Sequence, residues 1–268
     1  MNTAAPAASG LDADALSRIE DAGLNASAPP QQLWLDGWLL RLSPGKAKRA
    51  RCINAVAAGR LPVAQKLAQA AQAYREAGLP LVVRITPFSQ PADLDPQLAA
   101  LGLHRFDDTR VMVRTLGPPQ ADTVSRPPWP DGCRLETADA SRYAEAVGAL
   151  RGSPAAQRLA HAERLALSPV PYQGWLLCRG TEVLACGQGA REGDRVGLYD
   201  VFTAPAARNQ GLAQALCTEI LRRAAHDGAR TAYLQVDAAN TAARAAYRRL
   251  GFVDGYAYHY RSPDPAAA

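Results

Sequence analysis

The sequence predicts an α+β protein in which helices are layered on a mixed, twisted β-sheet. Three observations lead to this prediction. Short apolar strands alternate with segments whose apolar residues recur at helical spacing along the 268-residue chain. A proline-rich break divides the chain, and the order of elements before it parallels the order after it. The length suffices for two domains, each with its own core.

The first half of the chain is predicted to form helices and strands in turn. Its elements are a helix at Ala13–Ala22, a strand at Trp38–Leu42, a helix at Val63–Ala77, a strand at Leu81–Ile85, a helix at Leu94–Leu101 and a strand at Thr109–Thr115. Gly117–Pro130 follows, with five prolines in fourteen residues. Because proline lacks an N–H donor, this segment cannot form a helix or a central strand, and we interpret it as a linker.

The second half begins a new series of elements. These are strands at Cys133–Thr137, Gly174–Arg179, Val183–Ala190, Val196–Thr203, Ala232–Val236 and Tyr256–Arg261, and helices at Ala140–Leu150, Ala155–Leu167, Leu212–His226 and Thr241–Leu250. The helix–strand–helix–strand order from Pro62 parallels the order from Leu212, which indicates an internal repeat with a period of about 150 residues. The alternative is that any two segments of alternating helices and strands look alike at this level.

Charge and composition exclude some classes of function. The formal net charge of +5 is spread along the chain, and the densest basic run holds only Lys46, Lys48, Arg49 and Arg51. Nucleic-acid-binding proteins usually carry a longer basic stripe, so we expect no nucleic-acid partner. We interpret the run as a solvated loop, with a polyanion site as the alternative. A small anion such as phosphate or carboxylate would also suit a mildly basic protein.

Cysteine usage and hydropathy indicate the compartment. The five cysteines are odd in number and contain no CxxC pair, so we expect no disulfide framework and no metal site. Cys178, Cys186 and Cys217 lie in apolar runs and are predicted to be core residues, as is typical of a reducing cytoplasm. The start of the chain lacks a signal-peptide pattern, and no apolar run approaches the roughly 18 residues that span a bilayer. We therefore expect a soluble cytoplasmic protein without a membrane partner.

The strongest local motif is Pro205-Ala-Ala-Arg208-Asn-Gln-Gly211-Leu-Ala213, between a predicted strand and a predicted helix. A helix start offers unpaired N–H groups and the positive end of the helix dipole. Gly211 leaves space for a close anion, so a pyrophosphate fits there. Arg208 adds charge or is an ordinary surface arginine. Taken alone the pattern is not specific, because a strand, a glycine and a helix follow one another in many sheets.

A second motif lies about thirty residues downstream. Asn240 and Tyr247 are seven residues apart, so on one helix they share a face two turns apart. Each also has a structural interpretation, Asn240 as a helix N-cap and Tyr247 as a half-buried amphipathic side chain. Gly251 and Phe252 end the helix.

Together these motifs resemble the GCN5-related N-acetyltransferase (GNAT) family. The resemblance rests on Arg208-x-x-Gly211-x-Ala213, on Asn240-x6-Tyr247-x3-Gly251-Phe252, and on the preceding Val201-Phe202-Thr203-Ala204-Pro205. It implies the layered GNAT fold, a mixed sheet with a splayed central strand pair. It covers roughly residues 131 to 262, and residues 20 to 116 resemble a degenerate second copy. The predicted domains are therefore a degenerate GNAT-like domain at 11–116, a linker at 117–130 and a catalytic domain at 131–262.

The resemblance implies acetyl-CoA, or another short acyl-CoA, as the cofactor. Tyr247 would protonate the leaving thiolate, and a backbone N–H near Phe202 would polarise the thioester carbonyl. The implied cofactor-binding residues are Val201, Phe202 and Thr203 along the pantetheine arm, Arg208, Asn209, Gln210, Gly211, Leu212, Ala213 and Gln214 at the pyrophosphate, and Asn240 and Tyr247 nearby.

The general base is not given by the pattern. Many family members carry a glutamate five residues before the asparagine, where this chain has Gln235. Asp200 is the first candidate to replace it and Asp237 the second, although both are also explained as polar residues at strand ends. A water chain, or an amine that arrives neutral, would serve without either carboxylate.

The first half lacks an equivalent phosphate-binding loop. The segment Gly59–Ala64 aligns with Arg208–Ala213, and Pro62 removes an N–H donor at the position of Gly211. We therefore expect a single CoA site. Arg41, Arg51 and Asn54 are candidates to bind a substrate carboxylate, with ordinary surface residues as the alternative. Trp34 and Trp38 are predicted to be core residues.

These residues predict an N-acetyltransferase that acts on a primary amine of a small molecule or amino acid. Two alternatives remain open, a non-catalytic acyl-CoA sensor that lost its base and an acetyltransferase of protein N-termini or lysines. The sequence identifies neither the acceptor, nor the acyl chain length, nor the oligomeric state.

Overall fold

The computed structural model describes residues 10–45, 47–117 and 129–268, in which strands and helices alternate. The helices are α1 (Ala13–Ala26), α2 (Val63–Glu76), α3 (Leu94–Ala100), α4 (Ala140–Arg151), α5 (Ala155–Ala166), α6 (Leu212–His226) and α7 (Thr241–Arg249). The strands are β1 (Gln32–Leu35), β2 (Trp38–Arg41), β3 (Ile53–Ala55), β4 (Val83–Ile85), β5 (His104–Thr115), β6 (Cys133–Ala138), β7 (Tyr172–Arg179), β8 (Glu182–Glu192), β9 (Arg195–Thr203), β10 (Thr231–Asp237) and β11 (Val253–Ser262).

The predicted α+β class is confirmed, with two short strands that the sequence did not predict. These are β1 and β3, which have four and three residues and are too short for a clear alternation of apolar side chains. Trp38 is fully buried as predicted, whereas the prediction for Trp34 is wrong, since that side chain is 63% exposed on β1. Of the predicted linker, residues 118–128 lie outside the described residues, as does Lys46 of the basic run.

The chain divides into two compact units. Strands β5 and β11 contribute residues to both units, and α1 belongs with most of the second half of the chain. The compact units therefore do not follow the predicted domain boundaries, and the domains at 11–116 and 131–262 stay a prediction. The smaller unit comprises residues 27–110, 237–239 and 256–268, and the larger unit comprises the described parts of residues 1–26, 111–236 and 240–255.

The smaller unit is built on the strand order β1-β2-β3-β4-β11. Strands β1 to β3 are antiparallel neighbours, β3 and β4 are parallel, and β11 runs antiparallel to β4. Its core lies on the face covered by α2 and α3, and includes Trp38, Ile53 and Tyr74.

In the larger unit the strand order is β5-β10-β9-β8-β7-β6. Strands β9 and β10 are parallel, whereas β6 to β9 form an antiparallel meander. Helix α6 packs on one face over an apolar core that includes Leu198, Leu216 and Leu234. Helices α4 and α1 pack on the opposite face, where Tyr143 and Cys186 belong to a second core. Helices therefore cover both faces of this sheet.

Strand β9 leaves no room for a side chain at Gly197. A Cβ there would lie 2.5 Å from Cε2 of Tyr199 and 2.6 Å from Cζ of Tyr233. The two tyrosine hydroxyl oxygens are 3.1 Å apart, and the rings meet edge to face. Glycine is therefore required beneath this tyrosine pair, on the face that α1 covers.

We predict that Gly197→Ala lowers the free energy of unfolding by about 1–3 kcal/mol, because the tyrosine pair must shift to admit a methyl group. Urea unfolding measures the change. Gly189→Ala is the control, since its nearest neighbour is a side-chain atom 3.2 Å away that can yield by a few tenths of an ångström. Equal losses in the two variants would contradict the proposed clash.

Candidate active site

A β-bulge in β9 opens the sheet of the larger unit. Cys186 of β8 pairs with Phe202 and Gln188 pairs with Tyr199, so two residues of β9, Asp200 and Val201, lie opposite a single residue of β8. Asp200 has φ 50°, a left-handed conformation that short polar side chains tolerate better than most. Such a bulge bends its strand and ends local pairing.

Strands β9 and β10 separate at this bulge. Their parallel register runs from Arg195 and Thr231 to Leu198 and Leu234, and among the described residues it goes no further. The backbone of Val201–Thr203 therefore presents an edge that is not paired to β10. The sequence motif around Val201 implied such a splay, and the structure has it at this position.

Arg151 and His161, from the helical face, contact the Asp200 side chain. Nη1 of Arg151 donates to Oδ1 at 2.9 Å, and Nε2 of His161 lies 3.2 Å from Oδ2. Burial alone would raise the pKa of Asp200, but the interactions with His161 and Arg151 outweigh it and hold the pKa well below its usual range. A carboxylate with so low a pKa is a poor proton acceptor near neutral pH. This environment argues against the predicted role of Asp200 as the base.

The Asp200 backbone is held from the same side. The hydroxyl of Tyr143, on α4, donates to the Asp200 carbonyl at 3.1 Å. With the side chain fixed by Arg151 and the carbonyl by Tyr143, α4 stabilises the left-handed residue of the bulge. These contacts favour a structural role for Asp200 at the bulge, and its assignment as the base stays a prediction.

Arg208 lies against the end of β9. The ring of Phe202 lies close to two arginines, since the guanidinium carbons of Arg151 and Arg208 are 5.4 and 5.7 Å from its centre. Nε of Arg208 also donates to the Thr203 carbonyl at 3.4 Å. These contacts bring a positive charge to the turn that leads into α6.

The turn before α6 forms a concave backbone with open space above it. Asn209 and Gly211 have φ 62° and 74°, and α6 starts at Leu212 with no side-chain cap and no acidic residue in its first turn. The first N–H groups of the helix are therefore available to an anion. Among the residues that the structure describes, no atom lies within 4 Å of the position of a Cβ at Gly211. The predicted pyrophosphate site, from Arg208 to Gln214, thus has donors, a favourable dipole and room.

The equivalent loop in the smaller unit is filled by the protein itself. The carboxylate of Asp36 accepts the N–H groups of Arg60 and Leu61 at 2.7–2.9 Å, just before α2. These backbone hydrogen bonds, that of Leu61 first, lower the pKa of Asp36. A Cβ at Gly59 would lie 2.3 Å from an oxygen of this carboxylate. The donors that an external phosphate would need are thus already occupied.

Helix α7 brings Asn240 and Tyr247 into the larger unit. Oδ1 of Asn240 accepts the N–H of Ala243 at 3.1 Å, so the N-cap interpretation of Asn240 is correct. Tyr247 is half-buried against the core beneath α6, with its ring edge to face with Phe252 at 6.0 Å. Burial raises the pKa of Tyr247 well above its usual value. The phenol therefore stays protonated at neutral pH and can donate a proton.

Asp237 and Gln235 both lie on β10 but have different surroundings. Asp237 is exposed at the end of β10, where its carboxylate accepts the N–H of Ala239 at 2.8 Å. Gln235 lies next to α1, since a Cβ at Gly23 would be 3.1 Å from its Nε2. Leu234 and Val236 face the core under α6, so Gln235 projects to the opposite face of the sheet.

A buried amide on that face was not recognised in the sequence. Gln188 is 1% exposed, and neither Oε1 nor Nε2 has a hydrogen-bond partner among the described residues. It pairs with Tyr199, directly before the bulge. A glutamine in an apolar strand gives no signal of this kind in sequence. An amide buried in this way needs a hydrogen-bond partner, either water or a polar group of a ligand.

The three predicted substrate residues belong to the smaller unit. Arg41 and Asn54 are 2% and 5% exposed, so the alternative that they are ordinary surface residues is wrong for both. Nη1 of Arg41 donates to the Ser27 hydroxyl at 3.3 Å. Nη1 of Arg84 lies 3.5 Å from Oδ1 of Asn54. Arg51 is partly exposed after a short 3-10 helix. Their part in substrate binding stays a prediction.

Within residues 10–45, 47–117 and 129–268, no group of three or more potential ligands could hold a metal ion. In the same residues, no helix has the length and apolar character needed to cross a bilayer. A cavity of about 500 Å³ is lined by Trp175, Arg191 and the last turns of α6, at the end of the helix far from Gly211.

Comparison with known proteins gives the family. Residues 14–261 match the family model described as "Probable histone acetyltransferase Rv0428c C-terminal". The chain belongs to this family. A curated mycothiol acetyltransferase of Streptomyces bingchenggensis (strain BCW-1) is 33% identical over 166 residues, 57% of this chain. The match covers 53% of that relative, so the chain spans about half the length of the curated protein that it matches.

Solved structures confirm the GNAT fold. A GCN5-related N-acetyltransferase from Kribbella flavida aligns with a TM-score of 0.68 and 18% identity, over 93% of this chain and 95% of that one. A second, from Sphaerobacter thermophilus, gives 0.58 and 21% over 75% and 68% of the two chains. A tandem GNAT protein from the clavulanic acid biosynthesis pathway gives 0.59 and 17% over 76% and 70%. Together these alignments give the chain the GCN5-related N-acetyltransferase fold.

We predict that Asp200→Asn lowers the free energy of unfolding at pH 7 by roughly 1–3 kcal/mol, because it removes a partly buried ion pair. Since the folded-state pKa of Asp200 is depressed, its stabilisation is present above the unfolded pKa of about 3.9 and is lost as the pH falls below it. The difference between variant and wild type should therefore shrink from pH 5 to pH 3.

Chemical denaturation across this pH range tests the prediction. Asp194→Asn is the matched control, because its carboxylate is 56% exposed and lies 3.3 Å from Arg195. It should cost under about 0.5 kcal/mol. A loss for Asp200→Asn no larger than that of the control at pH 7 would contradict the structural role.

Proposed function

We propose that the larger unit transfers an acetyl group from acetyl-CoA to a primary amine of a small molecule or amino acid. The observation that carries the proposal is the open turn before α6, where a Cβ at Gly211 would meet no atom of the described residues within 4 Å. The corresponding turn before α2 is closed by Asp36. The contrast supports one binding site for a pyrophosphate-bearing cofactor, in the larger unit.

The chain's residues fit such a cofactor along a continuous path. The N–H groups from Asn209 to Gln214 bind the pyrophosphate, and Arg208 adds charge beside them. The unpaired edge of Val201–Thr203 binds the amide groups of a pantetheine arm as an added strand would. Acetyl-CoA, when bound, supplies an activated acyl group. A backbone N–H near Phe202 then polarises the carbonyl of that group.

Tyr247 serves as the proton donor to the departing thiolate in this proposal. Its buried phenol stays protonated at neutral pH, and its ring is fixed by Phe252. Asn240 contributes by starting α7 at the position that brings Tyr247 toward the splayed strands.

The acceptor class is proposed from chemistry and from the relatives. The curated relative is described as a mycothiol acetyltransferase, which favours a small-molecule amine. The buried amide of Gln188, next to the bulge, supplies a donor and an acceptor for a polar substrate group. The matching family is described as histone acetyltransferase-like, so protein amines belong in the same substrate panel.

A second candidate is a non-catalytic acyl-CoA sensor. Two observations favour it. Gln235 stands where the family pattern has a carboxylate, and Asp200 lies within ion-pair distance of Arg151 and His161. Thiol release distinguishes the two. Tight acetyl-CoA binding with no free CoA formed over a broad panel of amines would favour the sensor.

We predict that Gly211→Ala weakens acetyl-CoA binding at least tenfold, because the new methyl group occupies the space needed by the pyrophosphate. Isothermal titration measures the dissociation constant. Gly180→Ala is the matched control, since Gly180 also has a positive φ, of 59°, and open space at its Cβ but lies in the β7–β8 turn. Similar affinities for the two variants would be inconsistent with phosphate binding at Gly211.

We predict that Tyr247→Phe lowers kcat by about 100-fold and leaves the acetyl-CoA dissociation constant within about twofold, because it removes only the donated proton. Free-thiol release with the best amine of the panel measures kcat. Tyr233→Phe is the control, since that hydroxyl lies on the opposite face of the sheet, beside Tyr199. Unchanged turnover in Tyr247→Phe would exclude the assigned role.

A further inference from the structure

The cavity at the far end of α6 has the size and the apolar floor of a small-molecule site. Its volume of about 500 Å³ is in the range of pockets that bind small ligands. Trp175 of β7, Val196 of β9 and Ile220 of α6 contribute apolar side chains to its wall. The fifteen residues of α6, at about 1.5 Å each, separate it from the turn at Gly211 by roughly 20 Å. The proposed acetyl transfer makes no use of this cavity.

Positive charge is concentrated at the rim of the cavity. Among the described residues that line it, Arg191, Arg222 and Arg223 are arginines and Asp227 is acidic. Arg191 is exposed on β8 and forms no ion pair with any residue that the structure describes. A Cβ at Gly228 would lie 3.4 Å from its Nη2, so this guanidinium reaches from the sheet to the turn that ends α6. Arg191 is therefore available to an anionic group of a ligand.

Arg223 is held in place from two sides. Its Nε donates to Oε1 of Glu219 at 2.7 Å, and its guanidinium carbon lies 4.3 Å from the ring centre of Trp175. Within the described part of the chain, Nη1 and Nη2 of Arg223 have no hydrogen-bond partner. A guanidinium that is already fixed loses little conformational entropy when it binds a carboxylate or phosphate. Arg222 differs, since two of its nitrogens donate to Glu219 at 2.9 and 3.0 Å.

The negative end of the α6 dipole is partly neutralised next to the cavity. The carbonyl groups of Ala224 and Ala225 accept the N–H groups of Ala229 and Gly228 at 2.8 and 3.1 Å. Nη1 of Arg230 also donates to the Ala225 carbonyl at 3.4 Å. Because these carbonyl groups already have donors, they oppose an anion less than a free helix end does.

We propose that this cavity is a second binding site, for a small ligand that carries a carboxylate or phosphate on a compact apolar body. The oxyanion binds to Arg191 and Arg223, which come from β8 and α6. The apolar body lies against Trp175 and Ile220. The site is separate from the turn at Gly211, and its occupation does not depend on acetyl transfer.

Isothermal titration of the full chain with phenylacetate and with phenyl phosphate tests the proposal. Phenylacetamide is the control that keeps the shape of phenylacetate without its charge, and acetate is the control that keeps the charge without the ring. We expect one aromatic anion or both to bind at least about tenfold more tightly than either control. The tighter of the two identifies the oxyanion that the site prefers. Saturating CoA should leave this affinity within about twofold, because the two sites are separate.

A matched pair of arginine variants tests where the anion binds. Arg191→Gln should weaken binding of the tighter aromatic anion about tenfold or more, because it removes one of its two guanidinium partners. Its exposed position makes loss of the fold an unexpected result. Arg179→Gln is the control, since it removes the same charge from the exposed end of β7 and should leave the affinity within about twofold.

Four results would overturn the proposal. The first is that neither aromatic anion binds at concentrations up to about 10 mM. The second is equal affinity for phenylacetamide and for the preferred anion. The third is an equal loss in Arg191→Gln and Arg179→Gln, which indicates general attraction to a basic protein. The fourth is displacement of the aromatic anion by CoA, which indicates binding at the turn before α6 instead.

Discussion

The bulge at Asp200 is the constraint on which the site depends. Two residues of β9 stand opposite one of β8, and the left-handed residue among them is held through its side chain by Arg151 and through its carbonyl by Tyr143. Without this bend, β9 would continue alongside β10, and its backbone groups would be used within the sheet. The ion pair between Arg151 and Asp200 therefore helps to keep the edge of β9 available to a ligand.

The two helix starts of the chain show how one pattern gives opposite results. Before α6, two left-handed residues and an uncapped helix leave N–H groups facing open space. Before α2, Asp36 takes the corresponding donors and fills the space beside Gly59. A carboxylate built into the chain stabilises the turn permanently, whereas an open turn is stabilised only when an anion binds. The turn before α2 therefore resembles an anion site whose N–H donors are already taken by Asp36.

Local patterns in the sequence predicted the parts of the site that depend on local structure. Gly211 before a helix, and Asn240 and Tyr247 at two-turn spacing, gave the right elements because turns and helices depend on neighbouring residues. The environment of Asp200 could not be predicted, because Arg151 and His161 come from helices 39 or more residues away in the chain. The same holds for Asp36, which lies 24 and 25 residues before the two N–H groups that it binds.

The central claim, that acetyl-CoA binds along β9 and at the start of α6, is tested most directly by backbone hydrogen exchange with and without saturating CoA. We expect protection to be concentrated in two segments, residues 201–203 and 209–214, because their N–H groups gain partners on binding. Residues around the 500 Å³ cavity, at the far end of α6, should exchange at unchanged rates. Protection at that cavity, with none at residues 209–214, would contradict the account.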